Sequence, residues 1–570
     1  MPFRVTLASL TLGLVLWAGC ASSPGSSKSA TPTSDQLAGG ADNADYSKRA
    51  IEARTDSHAH YAAAVLHEVN DEPEAAADEF FKAAMADPSD EGLVLEASSR
   101  LLRLKKHDQA LELLNKAAAR PEAGGPLLAR LGLAYSVMGK REQAIAANRK
   151  AIQKSPKSFA GYQYLAQLHL QADQKDEGLN VLDEALKQDG TDAGFLIELA
   201  ETYSLFGRAG KLEDVRPKAL EALQRAAALK PEAPMLITRM AEGFNFYGAF
   251  DQAAEFYMKI LERLPNLPEI RNKLVDIYIR KQDRTNAVTQ LRALLKEQPA
   301  NPQANYMLGN LLYENRQPKE AAEYLRKVML LRPEFEPAYY DLAAAQINMD
   351  DPQTALETLD KARKKFQSTF LSEFYSGHAY SRMKDYTNAT RLLTSAEIIA
   401  QAKETNRLTP TLYFQLGASH ERMKGYKEAE SYFRKALALA PDFAEALNYL
   451  GYMWAERGEN LSEARTMIEK ALKLEPKNGA FLDSLGWVFH KMDQPAEALK
   501  HILKAIECTD EPDSTLYDHL GDIYAAMKQP DKAREAWRKA QKLGPTPEIQ
   551  KKLGEPATPA TPPGEGSQPR

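Results

Sequence analysis

The chain is 570 residues long and has only two cysteines, Cys20 and Cys508. Two cysteines cannot build a disulfide framework. Its longest apolar run, Val5 to Trp17, is shorter than the roughly 20 residues a spanning helix needs. Positive charge is not in excess, because 73 Lys and Arg stand against 78 Asp and Glu, for a formal net charge of −5. That balance argues against nucleic acid as the partner, since such binding wants a basic face. No glycine-rich phosphate loop and no nucleophile elbow occurs, so nucleotide and hydrolase chemistry lack their usual signatures.

What the chain has is repetition. The stretch Ala444 to Ala505 says nearly the same thing twice. Leu450-Gly451 answers Leu485-Gly486, Trp454 answers Phe489, and Ala471 answers Ala505. One small residue serves as a ruler: Ala76, Ala110, Ala144, Gly178, Ala219, Ala253, Ala287, Ala321, Ala355, Ala389, Ala429, Ala464, Ala498 and Ala533. Nine of its thirteen spacings are 34 residues. A period of that length predicts an array of helical hairpins. A second small residue lies twelve places earlier in most units, for example Gly309, Gly377, Gly417 and Gly486. Small side chains there let two helix backbones approach closely. Pro88, Pro156, Pro231, Pro265, Pro299, Pro333, Pro441, Pro476 and Pro545 follow the ruler by twelve, and proline ends a helix. A globular chain of this length would divide into several domains, whereas a solenoid grows by packing each unit only on its neighbours.

These positions resemble the tetratricopeptide repeat. About fourteen units run from Ser57 to Pro545, with an aromatic at the eleventh place (Tyr135, Tyr203, Phe244, Tyr278, Tyr380, Tyr524) and a bulky residue four after the ruler (Phe80, Tyr257, Phe433, Trp537). The resemblance implies an all-α fold, a right-handed superhelical solenoid of helix-turn-helix repeats. Departures are Val275, large where small is usual, and two insertions. Residues 208–217 are expected to lengthen a turn between helices, and residues 401–410 a connection between units.

Residues 1–19 read as a secretory signal: Arg4, an apolar run, then Ala18-Gly19. With Cys20 next, the segment is similar to bacterial lipoprotein signals, although Trp17 stands where leucine is usual. That similarity implies lipidation of Cys20. Ala21 and Ser22 carry no acidic residue, which points to the outer membrane, facing the periplasm. Several lipid chains, each methylene adding ~0.8 kcal/mol, give a stable anchor. Residues 20–56 are poor in large apolar side chains and are expected to form a disordered tether with a reach of roughly 30–35 Å. At the other end, residues 546–570 are expected to hold a short capping helix at 547–553 and a disordered Pro-rich tail.

Candidate catalytic groups are weak, and the chain reads as no enzyme, with no cofactor and no metal site. His58 and His60 point apart on a helix, and Asp56, His58, His60 and His67 read as a solvated helix start. Asp483, Ser484 and His490 have the residue types of a triad, but Ser484 is expected to point away from the other two. Cys508 reads as a buried structural thiol.

The resemblance instead implies a concave groove lined by the first helix of each unit, reached by the second, fifth, ninth and twelfth places. Those places give Tyr306, Asn310, Tyr313, Tyr340, Phe374, His378, Phe414, Asn448, Tyr452, Asp483, Trp487, His490, Asp518 and Asp522. Aromatic residues are favoured interface anchors, and Trp487 is expected to hold a partner while adding little to stability. The Lys/Asn pattern of carboxylate-clamping repeats is missing. LNYLGYMWAERG with LDSLGWVFHKM looks like large bacterial repeat lipoproteins that tether a periplasmic carboxyl-terminal processing protease and bring it substrates, cell-wall hydrolases among them. The expectation is therefore a lipid-anchored scaffold for protein partners, and the alternative is a part of a polysaccharide or protein export machine.

Overall fold

The computed structural model describes residues 41–554. The signal, Cys20, the first half of the expected tether and the Pro-rich tail lie outside the described residues. Within them are 29 α-helices, numbered α1 to α29 in chain order, one short 3-10 turn and no strand. The chain divides into two compact units between Pro231 and Glu232. The first runs from α1 (Ala41–Val69) to α10 (Leu212–Ala228), the second from α11 (Pro234–Phe246) to α29 (Pro547–Leu553). Helices pair in order, ending with α27 (Ser514–Ala526) against α28 (Pro530–Leu543), so fourteen hairpins precede the terminal helix.

Each hairpin is held by one close approach. The ruler alanines from Ala76 to Ala533 are 0–1% exposed. Beside them, the glycine twelve places earlier leaves room for the bulky residue four places later. A Cβ on Gly486 would stand 2.7 Å from Ile502 Cγ1, and one on Gly417 2.7 Å from Phe433 Cε1. On Gly521 it would collide with the Trp537 indole.

The turn inside each hairpin is equally regular. In thirteen of the fourteen, one residue after the first helix has φ between 56° and 72°; it is a glycine at Gly139, Gly248 and Gly458, and an Asp, Lys, Gln or Arg elsewhere. The next residue donates its N–H to the carbonyl five positions back, as Asp283 does to Tyr278 (2.8 Å), Asp385 to Tyr380 (2.9 Å) and Gln529 to Tyr524 (2.9 Å). This six-to-one bond satisfies a carbonyl that the helix end leaves orphaned.

Three sequence expectations about connections are corrected. The tether was expected to reach residue 56, but α1 begins at Ala41. Residues 41–56 contain neither Gly nor Pro and are rich in Ala, so nothing stops the helix. The 208–217 insertion does not lengthen the turn. It lengthens both helices, α9 (Ala193–Ala209) and α10, to 17 residues each, joined at Gly210-Lys211. Phe206 on the added turn is buried against Gly178, and Glu213 and Asp214 suit the positive start of α10. This is the hairpin without a positive-φ residue. The 401–410 insertion is taken up partly by extending α20 (Tyr386–Lys403) and partly by the 3-10 turn Thr405–Arg407. Cys508 is half-buried rather than buried.

The terminal helix α29 covers the end of the array with Ile549, 2% exposed. Gly521→Val is expected to lower stability by about 1–3 kcal/mol through overpacking against Trp537. Urea unfolding of the purified chain reads this directly, and an unchanged midpoint would mean that the indole swings away freely.

Candidate partner-binding groove

The elements that carry the expected groove residues are α15 (Pro302–Glu314), α17 (Pro337–Asn348), α19 (Phe370–Arg382), α21 (Pro410–Arg422), α23 (Ala444–Arg457), α25 (Gly479–Lys491) and α27, all in the second unit. Successive members of this series pack on one another, α15 on α17 through to α25 on α27. The second helices of these hairpins do not pack closely on each other in turn. The first-helix side is therefore the tighter, inner side of the stack.

Two polar-aromatic clusters lie on it. In the first, the Tyr306 hydroxyl donates to Asp341 Oδ2 (2.7 Å), and its ring meets Phe335 edge-on at 4.9 Å. Asn310 bonds to the same pair. Burial pushes the Asp341 carboxyl above its ordinary range, against the pull of the Tyr306 and Asn310 bonds. Burial likewise pushes the Tyr306 phenol up to about 12. Asn348 Nδ2 donates to the Tyr313 hydroxyl (2.7 Å). Tyr340, 3% exposed, donates to Glu336 Oε1 (2.6 Å) and meets Thr369 Oγ1 (2.7 Å). Phe374 stacks on Phe370 at 5.6 Å. Burial, then the Arg382 charge, lowers the pKa of His378.

Phe414 bridges to the second cluster through Phe433, Phe443 and Tyr449, at 5.4–5.9 Å. There His519 is 4% exposed and bonds through Nδ1 to Asp483 Oδ1 (2.8 Å). The Trp487 ring stacks on His519 at 4.0 Å and on His490 at 4.9 Å. Burial works against charge on His519, but the bond and charge of Asp483, with Glu456 and Asp518, prevail and raise its pKa. His490 goes the other way, lowered by burial. Tyr452 is raised by burial, then by Glu456 and Asp483. Lys552 of α29 reaches back to Asp518 and Asp522, both at 2.8 Å, and Trp537 Nε1 donates to Asp522 (3.1 Å).

The structure thus brings the expected residues onto one side, but not as freely standing anchors. Tyr340, Trp487 and Asn448 are buried, and the other eleven are half-buried. The expectation that Trp487 adds little to stability gives way to its packing between two imidazoles. Ser484 donates to Ala480 O (2.9 Å) and is buried, away from Asp483's partner His519, so the three triad residue types do not assemble. His60 and His67 bond to Glu79 and Glu72.

Four residues of this wall escape the second-fifth-ninth-twelfth rule. Asp341, Tyr375, Tyr449 and His519 all sit at the sixth place, which faces the preceding unit. The signal was a charged or hydroxyl-bearing residue at a place otherwise expected to be core. A raised histidine pKa stabilises the fold fully below its ordinary value of about 6.5, and that stability is lost as pH climbs through the higher folded value. Melting of the last repeats should therefore fall as pH rises above about 6.5, and Asp483→Asn should flatten that slope. Calorimetry of both proteins across pH reads the difference, and identical slopes would remove His519 as its source.

The tetratricopeptide repeat family model matches residues 272–329, 312–371, 369–442 and 514–547. The chain is similar to anaphase-promoting complex subunit 6 of Arabidopsis thaliana, 24% identical over 319 residues that cover 54% of this chain and 56% of that protein. It is similar also to cellulose synthase operon protein C of Pseudomonas fluorescens, 23% identical over 235 residues, 40% of this chain and 18% of that one. So the chain spans little more than half of the plant relative and less than a fifth of the bacterial one. Among solved structures, the APC/C heterotetramer Cut9–Hcn1 aligns at 14% identity and a TM-score of 0.40, covering 80% of this chain and 94% of that one. The chain thus carries matched tetratricopeptide repeats over residues 272–442 and 514–547, within an all-α solenoid of fourteen helical hairpins.

Proposed function

We propose that this chain is a non-catalytic scaffold, anchored by lipid on Cys20 at the periplasmic face of the outer membrane, that binds protein partners along the first-helix side of α15 to α27. Proteins of this repeat family serve broadly as interaction scaffolds. The observation that carries the reading is the wall itself. Several of its polar side chains are already held by bonds within the wall, as Tyr306 is to Asp341 and His519 to Asp483. A receptor surface ordered in advance loses little entropy on binding. Half-buried Tyr313, Phe374, His378 and Tyr452 offer aromatic area with polar edges to an incoming chain. The partners proposed are a carboxyl-terminal processing protease and its cell-wall substrates, from the likeness of the repeats at 444–505 to adaptor lipoproteins. A second reading, a part of a polysaccharide export machine, is favoured by the match to a protein named for a cellulose synthase operon.

Cys20→Ser should abolish incorporation of labelled palmitate and release the chain from the membrane fraction. Retention of label would place the lipid elsewhere. Affinity capture of the full-length chain from detergent-solubilised envelopes, read by mass spectrometry, separates the two partner readings. A processing protease or cell-wall hydrolase lost on Tyr313→Ala supports the adaptor, whereas synthase or porin subunits support the export machine. Trp487→Ala should instead cost about 3–5 kcal/mol of stability, the usual loss on truncating a buried aromatic. Unchanged melting of that variant would contradict its packing role.

A further inference from the structure

Charge in the second unit, from α15 to α28, is sorted by layer. The seven first helices from α15 to α27 hold four Lys and Arg against nine Asp and Glu. The seven second helices that partner them, from α16 (Pro318–Leu331) to α28, hold 22 against 13. The inner layer is therefore acidic and the outer layer basic, although the whole chain is near neutrality. Carboxylates outside these helices neutralise part of the excess, as Glu334 does Lys365 at 2.8 Å and Asp442 does Lys470 at 2.9 Å. Other cations are left over. On α28, Arg534, Arg538 and Lys542 follow each other at one-turn spacing, all exposed, and among the described residues none has a carboxylate partner. Lys473 on α24 (Leu461–Leu474) and Lys504 on α26 (Pro495–Cys508) likewise stand without one.

The same layer exposes apolar side chains at a fixed place. Ten residues after the ruler come Leu331, 40% exposed, Leu439, 55%, Leu474, 45%, and Leu543, 56%. They close the last turns of α16, α22 (Tyr426–Leu439), α24 and α28. Three of them stand directly beside a cation: Leu331 by Arg332, Leu474 by Lys473 and Leu543 by Lys542. A purely polyanionic partner such as nucleic acid would use the cations and leave the leucines in water. An anionic bilayer uses both, because basic groups gather at its charged surface while apolar groups enter the headgroup boundary.

We propose that the outer, second-helix layer of the second unit, centred on α28, docks on an anionic phospholipid surface and turns the acidic inner layer away from it. The contact is peripheral, since no helix of the described residues is long and apolar enough to cross a membrane. It needs neither lipidation of Cys20 nor an occupied groove, so it stands apart from the proposed function and fails separately from it.

The test is vesicle co-sedimentation of the full chain carrying Cys20→Ser. The probes are phosphatidylcholine vesicles with and without phosphatidylglycerol, each at low and high salt. Binding should increase with phosphatidylglycerol and fall with salt. A combined Arg534→Glu, Arg538→Glu and Lys542→Glu variant should lose about tenfold or more of the phosphatidylglycerol-dependent part. Melting of that variant reports whether it folds, and Lys504→Glu with Lys473→Glu gives a second, independent loss on neighbouring helices. Equal binding to both vesicle types overturns the proposal. So does full phosphatidylglycerol-dependent binding by the folded triple variant, and so does binding of a duplex oligonucleotide without binding of vesicles.

Discussion

Everything in this chain depends on how closely two helices of one hairpin can lie. Where Gly309, Gly377, Gly417, Gly486 or Gly521 stands on the first helix, the side chain four places after the ruler fills the space that a Cβ would occupy. That contact recurs once per unit. The curvature of a stack follows from the small rotation between successive units. From α15 to α27, successive first helices pack on one another more closely than their second helices do, so one layer becomes the inner wall of the stack.

That recurrence explains what was legible in the sequence. The ruler, the small residue before it and the proline after it obey the period, and the fourteen hairpins follow from them. Connections obey other rules. Whether α1 starts at residue 41 or 57 depends on local helix propensity, and an alanine-rich stretch free of Gly and Pro simply continues. The 208–217 insertion became two longer helices because Phe206 found a seat against Gly178, a contact that no spacing announces. The turn-closing residue was hidden for a chemical reason. Glycine marks a left-handed position, but ten of the thirteen turns place an Asp, Lys, Gln or Arg there. The six-to-one bond and the exposed, polar side chain make that conformation tolerable at a cost of about 1–2 kcal/mol.

The groove residues divide in the same way. The second, fifth, ninth and twelfth places name a set of positions, but position alone does not report depth. Trp487 and Tyr340 turned inward because each found a partner on the next unit, His519 and Thr369. His519 comes from a place that the repeat pattern assigns to packing, and Thr369 is the residue that caps α19. The sixth-place residues Asp341 and His519 are polar struts between neighbouring first helices, and they make the wall stiff as well as polar. A pattern that describes one unit does not describe what is shared by two.

The terminal helix shows the same principle at the edge of the array. Lys552 follows Asp518 by 34 residues and reaches back to it, much as His519 reaches back to Asp483. In effect α29 stands where the first helix of a next unit would, and it supplies that helix's strut. Its cation also answers the two carboxylates that the fourteenth unit would otherwise leave unopposed on the inner side. One buried apolar residue and one lysine suffice because each unit interacts only with its neighbours. Among the described residues, α29 thus meets both the apolar face and the acidic pair of the fourteenth unit.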